Sequence, residues 1–441
     1  MTEIDDLREA ARRKLDGQAA RARHYQQYFD CEAGIVALLD TEERQTFRTF
    51  LRESGANFCE LIVNAVAERL TVVGFRFEGA DADAWQIWQA SHMDADSQLA
   101  QIDALVTGSG FVLVQPDDDN PTGVEMTVES PLEACVLYEP GSRRRRAAGY
   151  KRYSDDGGAT DTEVLILPDQ IITWEAHAQL HGPLIEENPA GEVGLVELRP
   201  QPQTSRPPRS ELASAVSVQD RIHTTIFNRL VATDYGAFRQ IWATGIKVAR
   251  DVIKGEGGET VRVVRPFDIG SNRLLTNENP DGRFGHFPES GLKGYLDSVE
   301  QDANHLAAIS QTPPHYLLAT VANLSADAIK AAEAGLVSKV TRRQLFLGED
   351  YEDAMRMALR MRGNPAAADV EAEVLWRDPE TRSLGQLVDS LVKMRTLGVP
   401  LEVLWERYGA SPQEIERWRE LAAAERAAAP APAPAPEGVP A

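Results

Sequence analysis

The sequence predicts an α+β chain in which a mixed N-terminal half gives way to a largely helical C-terminal half. Three observations lead there. Between Thr71 and Glu175 apolar and polar residues alternate at a period of two, in short runs separated by turn residues. From Ser210 onward most apolar residues recur every three or four positions, the helical spacing. The stretch RPQPQTSRPPR at 199–209 separates the two regimes with prolines that neither element tolerates in its interior.

Each element has a local reason. Thr2 followed by Asp5 resembles an acidic capping box, and the Ala-, Arg- and Glu-rich segment behind it predicts a helix to about Tyr28. Thr41 is placed to cap a second helix running through Phe47, Phe50, Leu51, Phe58, Ile62 and Val66. Strands are expected at 71–77, 110–116, 124–130, 147–154, 163–168 and 171–175, with one short helix carrying Trp85, Trp88 and Leu99 after the first. Residues 1 to about 205 thus read as one α+β domain.

Beyond the Pro-rich break, Leu212, Val216, Gln219, Ile222, Ile226 and Leu230 predict a helix from Ser210 to about Asp234. Short strand-like pieces such as GIKVA and VRVVRPF follow, and then a helix from about Gly291 to Ser310. QTPPHYLLATVANLS at 311–325 is not one helix, because Pro313 and Pro314 remove donors. Ser325 caps a long helix to about Met361, stopped by Gly363, Asn364 and Pro365 and expected to break or kink at Gly348. Three shorter helices follow, at Pro379–Gly398, at Pro400–Gly409 and from Ser411, with Pro412 and Glu414 completing a capping box. The tail AAAPAPAPAPEGVPA is low-complexity and expected to be disordered.

Composition bounds the chemistry. With 441 residues the chain has room for about three domains. Its formal charge of −22 argues against tight general binding to phosphate backbones, which needs Lys and Arg to release counterions. The first 25 residues lack the apolar core of a signal sequence, and no stretch approaches the roughly 20 apolar residues of a membrane span. The expectation is a protein made in a cytoplasm, with Cys31, Cys59 and Cys135 as small core residues rather than a metal or redox set.

Candidate chemical motifs are few. GEGGET at 255–260 lacks the Lys of a phosphate loop, and TGSG at 107–110 joins helix to strand, the wrong order for phosphate at a helix N-terminus. His177 and His181, with Glu186 and Glu187 nearby, are open to a metal reading, but Gly182 and Pro183 favour a surface loop. Asp117, Asp118 and Asp119 read as a hairpin tip before a cation site. RRRR at 143–146 is a solvated loop or a phosphate-binding run. Trp85, Trp88, Trp174, Trp376, Trp405 and Trp418 read as core or interface anchors. No nucleophile, base and orienting acid declare themselves, so no catalytic residue, metal or cofactor is expected.

The order of elements, an α+β unit, a helix out and a helix back around a small β module, a Pro-marked loop, a long helix and a terminal helical cluster, resembles the siphophage-type portal proteins of tailed bacteriophages. NFCELIVNAVAERLTVVGF at 57–75, IDALVTGSGFVLV at 102–114 and RSELASAVSVQDRIHTTIFNRL at 209–230 are similar to the family's strings. TPPHYL at 312–317 with LSADAIKAAEAGLV at 324–337 is the closest of them, and WRDP at 376–379 and LGVP at 397–400 fit the terminal part. Two departures are Gly194, where the family has Pro, and Pro208, where a Gly is usual.

The resemblance implies a wing at 1–209, a first stem helix at 210–234, a clip at 235–290, a second stem helix at 291–310 and a tunnel loop at 311–325. It further implies a long helix at 326–362 and a crown at 363–430, ahead of the disordered tail at 431–441. It implies a ring, usually of twelve subunits, at one capsid vertex of the virion, made in the host bacterial cytoplasm. Double-stranded DNA would pass through it without tight binding. The implied partners are other copies of the chain, the terminase large subunit, a head-tail adaptor, and the major capsid and scaffold proteins, with no membrane. His315, Tyr316, Asn323 and Lys330 would lie nearest the DNA. Phe267, Asn272, Arg273, Phe284 and Phe287 of the clip would meet terminase and adaptor, unless these aromatics are the module's own core. The other readings are a cytoplasmic α+β hydrolase or nucleotide-using enzyme with a helical lid, and a different virion protein such as a capsid or head-completion protein.

Overall fold

A computed structural model describes residues 2–32, 53–155, 160–175, 182–237, 241–244, 250–254, 260–264, 281, 283–286, 291–318, 326–380, 384–410 and 412–428. The chain is α+β. Helix α1 (Thr2–Phe29) buries Ala11, Leu15, Ala19 and Ala22, one stripe at helical spacing. Ala11 and Leu15 pack on Cys135, Ala148, Tyr150, Leu165 and Ile172 of an antiparallel sheet ordered β4 (Ala134–Tyr138), β5 (Arg146–Asp155), β6 (Thr160–Ile166), β7 (Gln170–Glu175) and β8 (Leu184–Glu187). Arg8 and Arg12 reach from the helix to Glu163 of β6 at 2.8 and 2.5 Å.

A second sheet, ordered β3 (Val124–Glu129), β2 (Gly110–Pro116) and β9 (Leu195–Leu198), shows why period two matters. Val112 and Val114 of β2 face the main core, while Phe111 and Leu113 face a smaller core with Ala134, Val136, Val193 and Leu195. A slip of one residue would exchange the two sets. Glycines allow close packing at both departures from the family strings. Gly194 lies where a Cβ would come within 2.4 Å of the Val114 carbonyl oxygen. Gly108, at φ +100°, lies where one would come within 2.6 Å of the Pro208 oxygen. Gly108→Ala combines a left-handed backbone with a backbone clash and should cost about 3 kcal/mol. A urea midpoint unchanged from wild type would contradict that expectation.

The main core collects around the long helix. Helix α2 (Phe58–Ala67), strand β1 (Val72–Arg76), and helices α3 (Asp81–Ala90) and α4 (Met93–Thr107) bury Ile62, Val66, Phe75, Trp88, Ala100 and Ala104. The main core also takes in Leu336, Val340, Leu347, Tyr351, Met355 and Leu359 of a 36-residue helix Ala326–Met361. At 1.5 Å per residue that helix is about 54 Å long. Trp88 bridges two elements by edge-to-face contacts, 5.2 Å to Phe75 and 5.4 Å to Tyr351.

Several expectations change. The second helix does not run unbroken from Thr41 to Val66, since residues 54–57 are non-helical and Asn57 caps a fresh start by accepting from the Glu60 amide at 3.1 Å. The single short helix after β1 is two, α3 and α4, divided at His92 in the left-handed region. Gly348 does not break the long helix, which runs continuously through it. A Cβ there would be 3.4 Å from the Trp376 indole nitrogen, an ordinary contact, so the position packs beside the ring. The segment after 363 is not wholly helical, because β14 (Glu373–Trp376) pairs antiparallel with β1. β4, β8 and β9 are also strands that the alternation did not announce.

Ser210 accepts from the Leu212 amide at 3.0 Å to start a 3-10 turn, Glu211–Ser214, which leads into α5 (Val216–Ala237). Two antiparallel pairs follow, β10 (Ile241–Thr244) with β13 (Arg283–His286) and, between them in the chain, β11 (Arg250–Lys254) with β12 (Thr260–Val264). Helix α6 (Lys293–Ser310) packs against α5, with Arg221 2.7 Å from Asp302. Short α7 (Pro314–Leu318) begins on a proline, where a missing amide hydrogen is tolerated. The long helix is α8. Helices α9 (Leu384–Thr396), α10 (Leu401–Tyr408) and α11 (Pro412–Ala428) close the described chain, with Trp405 and Trp418 5.5 Å apart.

Candidate functional site

Both ends of the excursion through α5, the β pieces and α6 are fastened to one stretch of α8. Glu211, at the outgoing end, receives Lys339 at 2.9 Å on one oxygen and Arg343 on the other. Lys339 also donates at 2.9 Å to the carbonyl of Ser310, the last residue of α6. All three side chains are at least nine-tenths buried. Lys339 and Arg343 are one helical turn apart, which puts both on the same face of α8. Burial alone would raise the Glu211 pKa, but the two cations outweigh it and hold the carboxyl below its ordinary range. Burial pulls the Lys339 ammonium down, against the attraction of Glu211.

A second knot lies on the same helix. Asp350 accepts from the Arg199 amide and from its guanidinium, both at 2.7 Å. Glu197, two residues earlier, accepts from Ser109 at 2.6 Å and from Tyr138 at 2.9 Å. Arg69 makes a third connection, donating to the Pro379 carbonyl and to the Tyr316 hydroxyl, each at 2.9 Å, and lying 3.5 Å from Glu333. α2's end, α7, α8 and the last segment therefore meet at one guanidinium. Sequence reading missed Glu211, Lys339, Arg343 and Arg69. The available signal was charged residues placed at apolar helical positions, as Lys339 and Arg343 are beside Leu336 and Val340.

The expected channel residues separate. His315 and Tyr316 sit together on α7, rings 4.8 Å apart and edge-to-face, with Tyr316 tied to Arg69. Lys330 lies on the first turns of α8 and donates to Gln386 of α9 at 2.9 Å. Asn323 lies outside the described residues, as do Phe267, Asn272, Arg273 and Phe287. Phe284 is on β13 opposite Ala243. His177 and His181 are also outside. Asp117 and Asp119 form a tight turn between β2 and β3, the Asp119 amide donating to the Asp117 carboxylate at 2.9 Å. Of the arginine run, Arg144 and Arg146 pair with Glu349 and Asp353 of α8 at 3.4 and 2.7 Å, and Arg145 pairs with Glu139. Arg143, Arg144 and Arg145 are exposed, so the run is a solvated surface loop, and only Arg146 is drawn in against α8.

Among the described residues no group of three His, Cys, Asp or Glu is placed to hold a metal, and no helix is long and apolar enough to cross a membrane. Burial pushes two carboxyls up to about 6, that of Asp350 against the attraction of Arg199 and that of Asp103 of α4 with no cation to offset it. The folded pKa of Asp103 lies above the unfolded value, so folding favours the protonated form. The carboxyl therefore weakens the fold at neutral pH, and the penalty shrinks as pH falls from about 6 to the ordinary aspartate value near 3.8. Asp103→Asn should stabilise the chain by about 1–2 kcal/mol at pH 8 and by nothing near pH 4. Urea titrations at the two pH values check this, and an equal effect at both would contradict it.

The phage portal protein family described as SPP1 Gp6-like matches residues 12–427 of this chain. The portal protein of Mycobacterium phage L5 is 30% identical over 421 residues, covering 90% of this chain and 84% of that protein. The portal protein of Mycobacterium phage D29 is 29% identical over 389 residues, covering 82% and 78%. Among solved structures, a chain of the neck of a native gene transfer agent particle, computed with C12 symmetry, is 14% identical at a TM-score of 0.43, covering 86% of this chain and 94% of that one. A likeness that distant carries no argument here. The matched span takes in every fastening described above, from Arg69 to Asp350, and on that span the chain belongs to the phage portal protein family, SPP1 Gp6-like.

Proposed function

We propose that twelve copies of this chain form a ring at one vertex of the capsid, through which the terminase drives double-stranded DNA inward and from which it later leaves. Portal function itself follows from family membership, and the match over residues 12–427 is the observation that carries it. In this reading residues 1–209 are the wing, 210–234 and 291–310 the stem, 235–290 the clip, 311–325 the tunnel loop and 363–430 the crown. The clip, with Phe267, Asn272, Arg273, Phe284 and Phe287, meets the terminase large subunit and then the head-tail adaptor. The wing and crown meet the major capsid and scaffold proteins. The tunnel loop, with His315, Tyr316 and Asn323, and Lys330 behind it, lies nearest the DNA.

The charge supports a conduit. Each subunit carries −22, so a channel lined even partly by this surface repels the duplex and lets it slide. The fastenings on α8 support a load-bearing role, since they hold both ends of the stem to one rigid helix. Native mass measurement with negative-stain imaging tests the reading. Twelve subunits of 48.5 kDa give a ring of about 580 kDa with a central hole. A chain that stays monomeric or dimeric even beside its capsid and scaffold proteins would overturn it.

A further inference from the structure

A cavity of about 470 Å³ lies where the 3-10 turn, the end of α6 and the middle of α8 meet. Its charged lining is Arg209, Glu211, Lys339, Arg342 and Arg343, with Gln311 and Ser310 at one side. Four cations thus face the cavity and a single carboxylate does. In a chain whose 68 acids outnumber its 46 bases, composition alone would put the excess the other way.

The one carboxylate is already used. Glu211 gives one oxygen to Lys339 and one to Arg343. Two cations, each at least nine-tenths buried, are therefore balanced by one anion, and the second positive charge is left in a low-dielectric place. Among the described residues Arg343 engages Glu211 through Nε alone, so the two terminal nitrogens of its guanidinium have no protein acceptor and open onto the cavity. Arg209 and Arg342 are exposed at the rim and have no carboxylate partner among the described residues, Arg342 instead lying 5.8 Å from the Phe346 ring centroid. None of these groups belongs to the channel or clip assigned above.

We propose that this cavity is a binding site for a phosphate-class oxyanion. Its third and fourth oxygens set such a ligand apart from a carboxylate. Guanidinium groups bind oxygen pairs in a planar fork, and three of them lining one cavity are matched by a tetrahedral anion better than by a two-oxygen one. The volume admits the anion together with water. Bound there, the anion neutralises the buried excess charge and ties the 209–211 segment, the Ser310–Gln311 exit from α6 and α8 into one unit. The site acts within one subunit and does not depend on the ring. Its phosphate can come from free inorganic phosphate or from the backbone of nucleic acid.

The test uses the full chain, titrated with inorganic phosphate against sodium chloride at matched ionic strength, reading the melting temperature and the phosphorus-31 line width. Wild type should show a saturable response to phosphate that chloride does not reproduce. Arg209→Ala with Arg342→Ala, both at exposed positions, should weaken it about tenfold to a hundredfold, the worth of one or two charge-assisted hydrogen bonds. Arg144→Ala with Arg145→Ala removes the same charge elsewhere and should leave the response unchanged. A short DNA duplex that displaces the phosphate identifies nucleic acid as the source, and one that does not identifies the free ion; both uphold the site. No saturation beyond the chloride control overturns the proposal. So does equal binding by wild type and the rim variant, or equal loss in the Arg144 and Arg145 control.

Discussion

Glutamine in place of Glu211 should destabilise the subunit by about 3–5 kcal/mol, because it leaves Lys339 and Arg343 buried with no countercharge. The glutamine keeps the shape and one acceptor, so the loss reports charge rather than volume. The pH dependence has a definite sign. The folded pKa of Glu211 lies below its unfolded value, so its contribution is fully present above about pH 4.5 and is lost as pH falls through the folded value. Wild type should therefore lose stability on acidification more steeply than Glu211→Gln, and the two should converge at low pH. Replacing Glu211, Lys339 and Arg343 together with apolar residues of similar size should recover most of the loss, since a removed triad leaves no unpaired charge. Urea unfolding of the three proteins decides the matter. A loss below about 1 kcal/mol in the single variant would mean that water reaches the cluster and that α8 is fastened by its apolar face alone.

How much of this was legible in the sequence depends on how local the cause is. The helix from Thr2, the strands at 110–116 and 124–129 and the stop of α8 at Gly363 follow from capping, alternation and turn chemistry within a few residues. The four missed strands do not. β9 is buried on both faces and shows no alternation, while β14 exists because β1 supplies its hydrogen-bond partners from some 300 positions away. Gly348 has the same lesson. Its expected break rested on helix propensity, but Leu347 and Tyr351 on either side are held in the main core and the helix runs through. The site divided similarly. TPPHYL marked the root of the loop through its prolines, whereas the Glu211 cluster joins positions more than 120 apart and no spacing rule connects them. The family strings followed the order of elements, and they said nothing of what fastens those elements together.

The loop assignment can be separated from the fold that supports it. Thr312 and Leu317 are buried and Tyr316 is bonded to Arg69, so replacing all of 311–325 would remove the root along with the tip. Replacement of 319–325 alone by a Gly-Ser linker of equal length spares those contacts. It should leave the subunit folded, the ring complete and the melting temperature near that of wild type, while reducing packaged DNA to a small fraction. Tyr316→Phe supplies the opposite control. It removes one hydrogen bond to Arg69 and should lower stability by about 1 kcal/mol without changing the loop tip. If the linker variant assembles rings and packages normally, the segment is a plain connector and the channel must be lined from elsewhere. If Tyr316→Phe blocks packaging while the linker variant does not, the working part is the root, and the contact between Arg69, Glu333 and Tyr316 becomes the element that transmits load between stem and wing.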